Sequence, residues 1–164
     1  MRQHLFAASL LLAACGAAPE PAPGAHAPAL AGAYAAMSAA AASVTGDLVV
    51  ADAALGFERG LRFEAAPIPH ALEINTDLSA GGGTIAIHSG LREAHAIELR
   101  RVAPEGASAE GTAPSLCGHG PVSHLSRARN ADALAVLAFS GAEAPGGNAH
   151  DSQFCAAFTY TPAN

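Results

Sequence analysis

The stretch LGFERGLRF, residues 55–63, decides the fold, because it holds a complete hairpin signal. Four large apolar side chains share one parity on either side of the centre, as the residues of one strand face do: Leu55, Phe57, Leu61 and Phe63. Arg59-Gly60 interrupts the pattern at its centre, and glycine tolerates the positive φ that tight turns require. The stretch therefore predicts two antiparallel strands joined by a short turn.

Segments of period two continue on both sides of this hairpin, with turn residues between them. The predicted strands are Leu48–Ala51, Thr84–His88, Ala96–Val102, Pro121–Arg127 and Phe154–Tyr160. Ala133–Phe139 is apolar on both parities and fits either a central strand or a helix capped by Asn130. The strand is favoured because Ser140-Gly141 ends it after about seven residues. These short strands and frequent turns predict a mainly β domain, built as a small antiparallel β-barrel or sandwich.

The residues before this domain have a different composition. Most of residues 15–45 are Ala, Pro, Gly and Ser, and so few large apolar side chains cannot offset the entropy of ordering the chain. We therefore predict a tether over residues 15–45, within which Tyr34–Ala42 is alanine-rich enough for a short helix that is marginal in water. The β domain is predicted over residues 46–164, long enough to bury a core of its own.

The leader, residues 1–14, has a positive start and an apolar run too short to span a bilayer as a finished helix. It ends in LAAC at 12–15, which resembles the lipobox of bacterial lipoproteins. The resemblance implies that residues 1–14 are a signal peptide and that Cys15 receives a diacylglyceryl group, so that acyl chains attach the protein to a membrane. Gly16 replaces the Asp that retains such proteins in the inner membrane of enteric bacteria, which favours the outer membrane, facing the periplasm.

Net charge argues against one class of partner. Cleavage after residue 14 would remove Arg2 and leave seven arginines, no lysine and 14 acidic residues. An acidic body without an arginine cluster does not neutralise phosphates, so we predict no nucleic-acid partner. The expected partners are the membrane, reached through the N-terminal acyl chains, and a protein or cell-wall component of the envelope.

Acylation of Cys15 would leave Cys117 and Cys155 as an even pair in an oxidising compartment, and we predict a disulfide between them. Two buried thiols are the alternative. Closing a loop of that length would stabilise the fold by about 4 kcal/mol. The segments LCGHGPV at 116–122 and FCAAFTY at 154–160 resemble small secreted proteins of proteobacteria, and this resemblance implies no activity.

The histidines do not form a catalytic or metal-binding pattern. Cys117, His119 and His124 have no recognised metal-site spacing, so we interpret His119 as a loop histidine and His124 as a surface histidine. His88 and His95 flank a predicted turn at Gly90, and His70 and His150 lie in predicted loops, so solvated residues are expected at all four positions. No Gly-x-Ser-x-Gly elbow is present, and GGGT at 81–84 lacks the Lys of a phosphate loop. We therefore predict no enzyme activity, no cofactor and no metal.

Two functions fit these features. The first is a binding or structural lipoprotein whose β domain offers its loops to an envelope partner. The second follows from a resemblance to the membrane-bound inhibitors of c-type lysozymes, which are also lipid-anchored, disulfide-bridged small β-barrels; an acidic body would attract a basic lysozyme. That family's inhibitory pattern, Ser-Gly-x-Lys/Arg-Tyr, is not completed at Ser89-Gly90 or at Ser140-Gly141. A third hypothesis, a hydrolase acting through its histidines, is disfavoured by the missing catalytic patterns.

Overall fold

Within the residues that the structure describes, eight antiparallel strands form a closed barrel. The computed structural model describes residues 30–70, 72–78, 82–109, 115–118 and 120–163. The strands are β1 Gly32–Ala36, β2 Leu48–Val50, β3 Ala54–Phe57, β4 Leu61–Pro67, β5 Ala96–Ala109, β6 His124–Arg129, β7 Leu134–Ser140 and β8 Gln153–Pro162. Each strand pairs with the next along the chain, and β8 pairs with β1 to close the circle. The prediction of a mainly β fold is confirmed, and the barrel is the architecture adopted.

The hairpin predicted over residues 55–63 forms as expected. Gly60 adopts a φ of 87° in the turn, where its N–H donates to the carbonyl of Phe57 at 2.9 Å. The large apolar side chains of the pattern are all buried in the barrel interior: Leu55, Phe57, Leu61 and Phe63. Phe57 and Phe63 meet edge to face, with their ring centroids 6.0 Å apart. Large side chains therefore fill the part of the barrel near the β3–β4 turn.

The barrel begins upstream of the predicted domain boundary. β1 lies within residues 15–45, which the sequence predicted as tether, and the helix predicted at Tyr34–Ala42 is replaced by β1 and a π-helix at Ala41–Thr45. The boundary after residue 45 is therefore wrong. Tyr34 explains the difference, because it is buried in the core and its hydroxyl donates to the carbonyl of Leu30 at 2.9 Å. A strand with a single large side chain has no alternation for a sequence pattern to detect.

A long connection between β4 and β5 covers part of the outside of the barrel. We name residues 68–95 the covering segment, of which the structure describes 68–70, 72–78 and 82–95. Its apolar residues pack against outward side chains of β5, β6 and β7, and the contributors from the segment are Leu72, Leu78, Ile85 and Leu91. Consequently β7 is buried on both faces. This explains why Ala133–Phe139 is apolar on both parities, and its prediction as a strand is confirmed.

The strand predicted at Thr84–His88 is wrong, because the chain forms a short helix there. Residues Ile85–Ser89 form helix α1, and the side chain of Thr84 caps it by accepting a hydrogen bond from the N–H of Ile87 at 3.3 Å. Ile85 is buried, whereas Ile87 is 72% exposed. On a strand both isoleucines would share a face, and the helix separates them.

The two ends of the barrel are built differently. We name the end with the β2–β3 and β6–β7 turns the mouth, and the opposite end the floor. At the floor, Leu116, Cys117 and Val122 pack into the interior core. A disulfide joins Cys117 to Cys155 on β8, with an S–S distance of 1.99 Å. The predicted bridge is confirmed, and it fixes the segment at the floor to the barrel wall.

Candidate functional site

The structure brings together one pair of the residues that the sequence singled out, Cys117 and Cys155. Cys15 and His119 lie outside the described residues. In the described part of the chain, no group of three or more His, Cys, Asp or Glu side chains is placed to hold a metal ion.

His124 is buried, although the sequence interpretation placed it at the surface. Only 1% of it is exposed, and it lies beside Phe139 on the outward side of the barrel wall. Its Nδ1 is 3.0 Å from the hydroxyl of Ser123, and its Nε2 has no hydrogen-bond partner among the described residues. Burial lowers the pKa of His124, and the positive charge of Arg101 lowers it further. Burial therefore favours the neutral form of this imidazole.

His88 also takes part in packing. Its ring stacks on the ring of Phe154 with centroids 3.8 Å apart, and a ring nitrogen meets the carbonyl of Gly82. The expectation of a solvated loop histidine is therefore wrong at this position, because α1 holds the ring against β8.

The two Ser-Gly pairs do not present exposed serines. Ser89 is buried in α1, where its hydroxyl donates to the carbonyl of Ile85 at 2.6 Å. Ser140 is buried at the end of β7. Neither serine is therefore exposed on the surface of the barrel.

The mouth opens into a cavity of about 1230 Å³. Its wall is formed largely by small apolar residues of the β2–β3 turn, β4 and β5, among them Ala51, Ala53, Ala65, Pro67, Val102 and Ala103. An eight-stranded barrel is just wide enough to be filled by its side chains or to hold one small ligand. Short side chains near the mouth leave space, in contrast to the aromatic rings near the β3–β4 turn. Barrel mouths are places where ligand pockets commonly occur.

A bulge between β4 and β5 shapes the rim of this cavity. Residues 103–106 of β5 lie opposite the single residue Glu64 of β4. Bulges bend the strand that carries them and increase its local twist. Gly106 passes close to β4, because a Cβ at this position would lie 2.6 Å from the carbonyl oxygen of Glu64. Residues 104–106 thus belong to a bulge inside a longer strand, and β5 continues beyond the predicted end at Val102.

Six charged residues line the cavity, and three of them, Asp52, Glu64 and Arg101, are exposed at its rim. The other three are Glu98 and Arg100 of β5 and Arg127 of β6. Arg127 lies opposite Glu98 on one side and Val136 of the interior core on the other, and cross-strand partners share a face of the sheet. The side chains of Arg100 and Arg127 are 5% and 4% exposed, and that of Glu98 is 30% exposed. Two guanidiniums are therefore buried on the interior side of the barrel wall.

Glu98 lies between the two guanidiniums. Its Oε2 accepts hydrogen bonds from Nε of Arg127, at 3.1 Å, and from Nη2 of the same residue. Its Oε1 is 3.5 Å from Nε of Arg100. The Nη1 and Nη2 of Arg100 donate to the main-chain carbonyl of Asp52 in the β2–β3 turn, an acceptor without net charge. One carboxylate therefore serves two buried cations.

The guanidiniums retain unused donors. Among the described residues, Nη1 of Arg127 and Nε of Arg100 are buried without a hydrogen-bond partner. Burial lowers the pKa of Arg100, and the charge of Arg127 lowers it further, while Glu98 acts in the opposite direction. Unpaired buried donors are costly, and an anionic oxygen is the partner that satisfies them best.

Alternation within the predicted strand Ala96–Val102 does not reveal this cluster. Ile97 and Leu99 share one face of that strand, and Leu99 packs under the covering segment. Glu98 and Arg100 share the opposite face, which closure of the barrel turns into its interior. The available signal was the charged pair Glu98 and Arg100 within a strand, together with Arg127 on another strand.

Comparison with protein-family models, with curated proteins and with solved structures finds no match to this chain. No helix of the described residues has the length and apolarity needed to cross a bilayer. Fold and site together define a small, disulfide-bridged β-barrel with an open cavity of ligand size at its mouth.

Proposed function

We propose that this protein is a ligand-binding β-barrel held at the bacterial cell envelope, and that a small, largely apolar molecule binds in its mouth. The observation that carries the proposal is the cavity of about 1230 Å³, bordered by two buried arginines. A barrel that served only as a scaffold would fill its interior with side chains, as proteins generally do. Buried charges beside an apolar cavity are costly, and such groups cluster at functional sites.

Binding is favoured over catalysis by the positions of the candidate catalytic residues. His88 is stacked on Phe154, and His124 is buried on the outward side of the wall. Neither histidine borders the cavity. Among the described residues, the reactive groups that line the cavity are guanidiniums and carboxylates, which hold and orient a ligand in this proposal.

The envelope location is supported by the leader and by the position of the mouth. LAAC at 12–15 resembles a lipobox, and acylation at Cys15 would anchor the chain. Leu30 borders the cavity, and the fifteen residues from Cys15 to Leu30 extend at most about 50 Å. Anchored in this way, the mouth stays close to a membrane surface, where apolar molecules are concentrated.

Titration of the full chain with Nile red, a neutral apolar fluorophore, tests binding in the mouth. We expect saturable binding that Ala53→Trp weakens several-fold, because Ala53 is an exposed residue of the turn at the cavity rim. Ala142→Trp is the matched control, since Ala142 is exposed in the β7–β8 turn at the floor. Absence of saturable binding, or equal effects of the two substitutions, contradicts the proposal.

Metabolic labelling with radioactive palmitate tests the anchor. The label should enter the wild-type protein and not Cys15→Ser, because the thiol is the acylated group. A mature N-terminus at any residue other than Cys15 contradicts the proposed attachment.

A further inference from the structure

The charge imbalance beside the cavity indicates what kind of ligand it accepts. Arg100 and Arg127 are both nine-tenths buried or more, and Glu98 is the one carboxylate hydrogen-bonded to either of them among the described residues. The rim adds two carboxylates, Asp52 and Glu64, and one guanidinium, Arg101, all on exposed residues whose charges solvent screens. Of these, Asp52 still acts on Arg100, because its charge raises the pKa of that guanidinium. The interior side of the site therefore carries one positive charge in excess.

The free donors define the head group. Nη1 of Arg127 and Nε of Arg100 have no hydrogen-bond partner in the described structure, and the two guanidiniums flank the same glutamate. A carboxylate has the planar geometry that guanidinium nitrogens bind well. A single negative charge would also balance the excess positive charge of the site.

The apolar residues that line the cavity indicate the chemistry of the part of the ligand beyond its anionic group. Most of the surface around the cavity comes from apolar residues such as Ala51, Ala65, Pro67 and Val102. A small inorganic anion would leave this wall in contact with water, whereas an apolar chain or ring would cover it. The cavity therefore matches a molecule with one anionic end and an apolar body.

We propose that the mouth binds monocarboxylic amphiphiles, of which a fatty acid is the simplest, with the carboxylate on Arg100 and Arg127 and the apolar body along the alanine-rich wall. This inference rests on the proposed binding function. Glu98 acts as an internal competitor, because it occupies guanidinium donors that the ligand carboxylate needs. Removing the charge of Glu98 therefore strengthens binding of the anion, which is opposite in sign to the effect of removing an arginine.

Fluorescence titration with cis-parinaric acid and with its methyl ester, which lacks the charge, tests the proposal on the full chain. We expect the acid to bind wild type about tenfold more tightly than the ester. Arg127→Met should reduce affinity for the acid to that for the ester and leave the ester unaffected. Glu98→Gln should raise affinity for the acid and not for the ester. Arg62→Met is the matched control for net charge, because Arg62 is exposed on the outward side of β4, and it should change neither affinity.

Circular dichroism of each variant shows whether it is folded. If a variant does not fold, the affinities of wild type for the acid and for the ester still test whether the site prefers a carboxylate. Equal affinity of wild type for acid and ester overturns the inference while leaving the mouth as a site for neutral apolar molecules. Weaker binding of the acid by folded Glu98→Gln overturns the role of Glu98 as a competitor. Failure of acid, ester and Nile red alike to bind overturns the proposed function itself.

Discussion

Opening the disulfide should cost a large part of the stability of the barrel. Cys117 and Cys155 are 38 residues apart, and the loop between them contains β6 and β7. The bridge restricts the unfolded chain by an entropy that corresponds to about 4 kcal/mol for a loop of this length. Small domains have total stabilities of about 5–15 kcal/mol, so the loss is a substantial fraction of the whole.

Equilibrium unfolding in urea, followed by far-ultraviolet circular dichroism, measures this loss. The double substitution Cys117→Ala and Cys155→Ala should lower the free energy of unfolding by about 4 kcal/mol. Reductant should lower the stability of wild type by a similar amount and leave the double variant unchanged, which separates loss of the bridge from loss of side-chain packing. A wild-type stability that changes by less than about 1 kcal/mol on complete reduction would refute the loop-entropy reasoning.

Three further predictions concern single residues. Tyr160 is buried with its hydroxyl 2.7 Å from that of Thr45, and burial raises its pKa, so the unfolded chain loses this proton first as the pH rises. Above about pH 10 the free energy of unfolding should therefore fall, and this residue should contribute up to about 1.4 kcal/mol per pH unit to that fall. Tyr160→Phe should remove this contribution. If urea unfolding from pH 8 to 11 gives wild type and Tyr160→Phe the same pH dependence, the prediction is contradicted. Burial lowers the pKa of His124, so its contribution to stability is present above about pH 6.5 and is lost on acidification. Unfolding measured between pH 7 and 5 should show a smaller loss for His124→Phe than for wild type, and an equal loss would count against the buried neutral imidazole. Gly141 has a φ of 101°, and a Cβ there would overlap the main-chain carbonyl of Asp151, so Gly141→Ala should lower stability by at least about 1–3 kcal/mol. Gly56→Ala is its control, because a Cβ at Gly56 has no atom within 4 Å in the described structure, and equal losses in urea unfolding would argue against the strain.

Local patterns predicted those parts of the fold that are formed by neighbouring residues. The hairpin at 55–63 combines alternation and turn in one short segment, and the disulfide followed because only two cysteines remained once Cys15 was assigned to lipid. At the end of β6, Asn130 was weighed as a helix cap. In the structure its Oδ1 accepts hydrogen bonds from the N–H groups of Asp132 and Ala133 at 2.9 and 2.8 Å, which caps a β-turn instead.

The features that were missed depend on contacts between distant residues. β1 is recognisable only when the barrel closes around Tyr34, because alanine and glycine carry no alternation. The positions of Glu98 and Arg100 in the barrel interior were not predicted, because a strand pattern does not show that a covering segment buries the opposite face. Local patterns therefore did not predict the candidate site, although Glu98, Arg100 and Arg127 lie in or at the end of predicted strands.

Closure of the barrel by its first and last strands has a consequence for the order in which the molecule matures. Among the strands of the described residues, seven of the eight ladders join consecutive strands, and the β1–β8 ladder joins residues near 34 to residues near 160. During ribosomal synthesis or translocation from the N-terminus, β1 emerges early, and its edge facing β8 stays unpaired until β8 has emerged. Until then the nascent sheet has two open edges, which are prone to self-association. A chain that ends before β8 would therefore lack an enclosed interior. We expect such a chain to bind no ligand in the mouth, and binding should begin only after β8 has paired with β1.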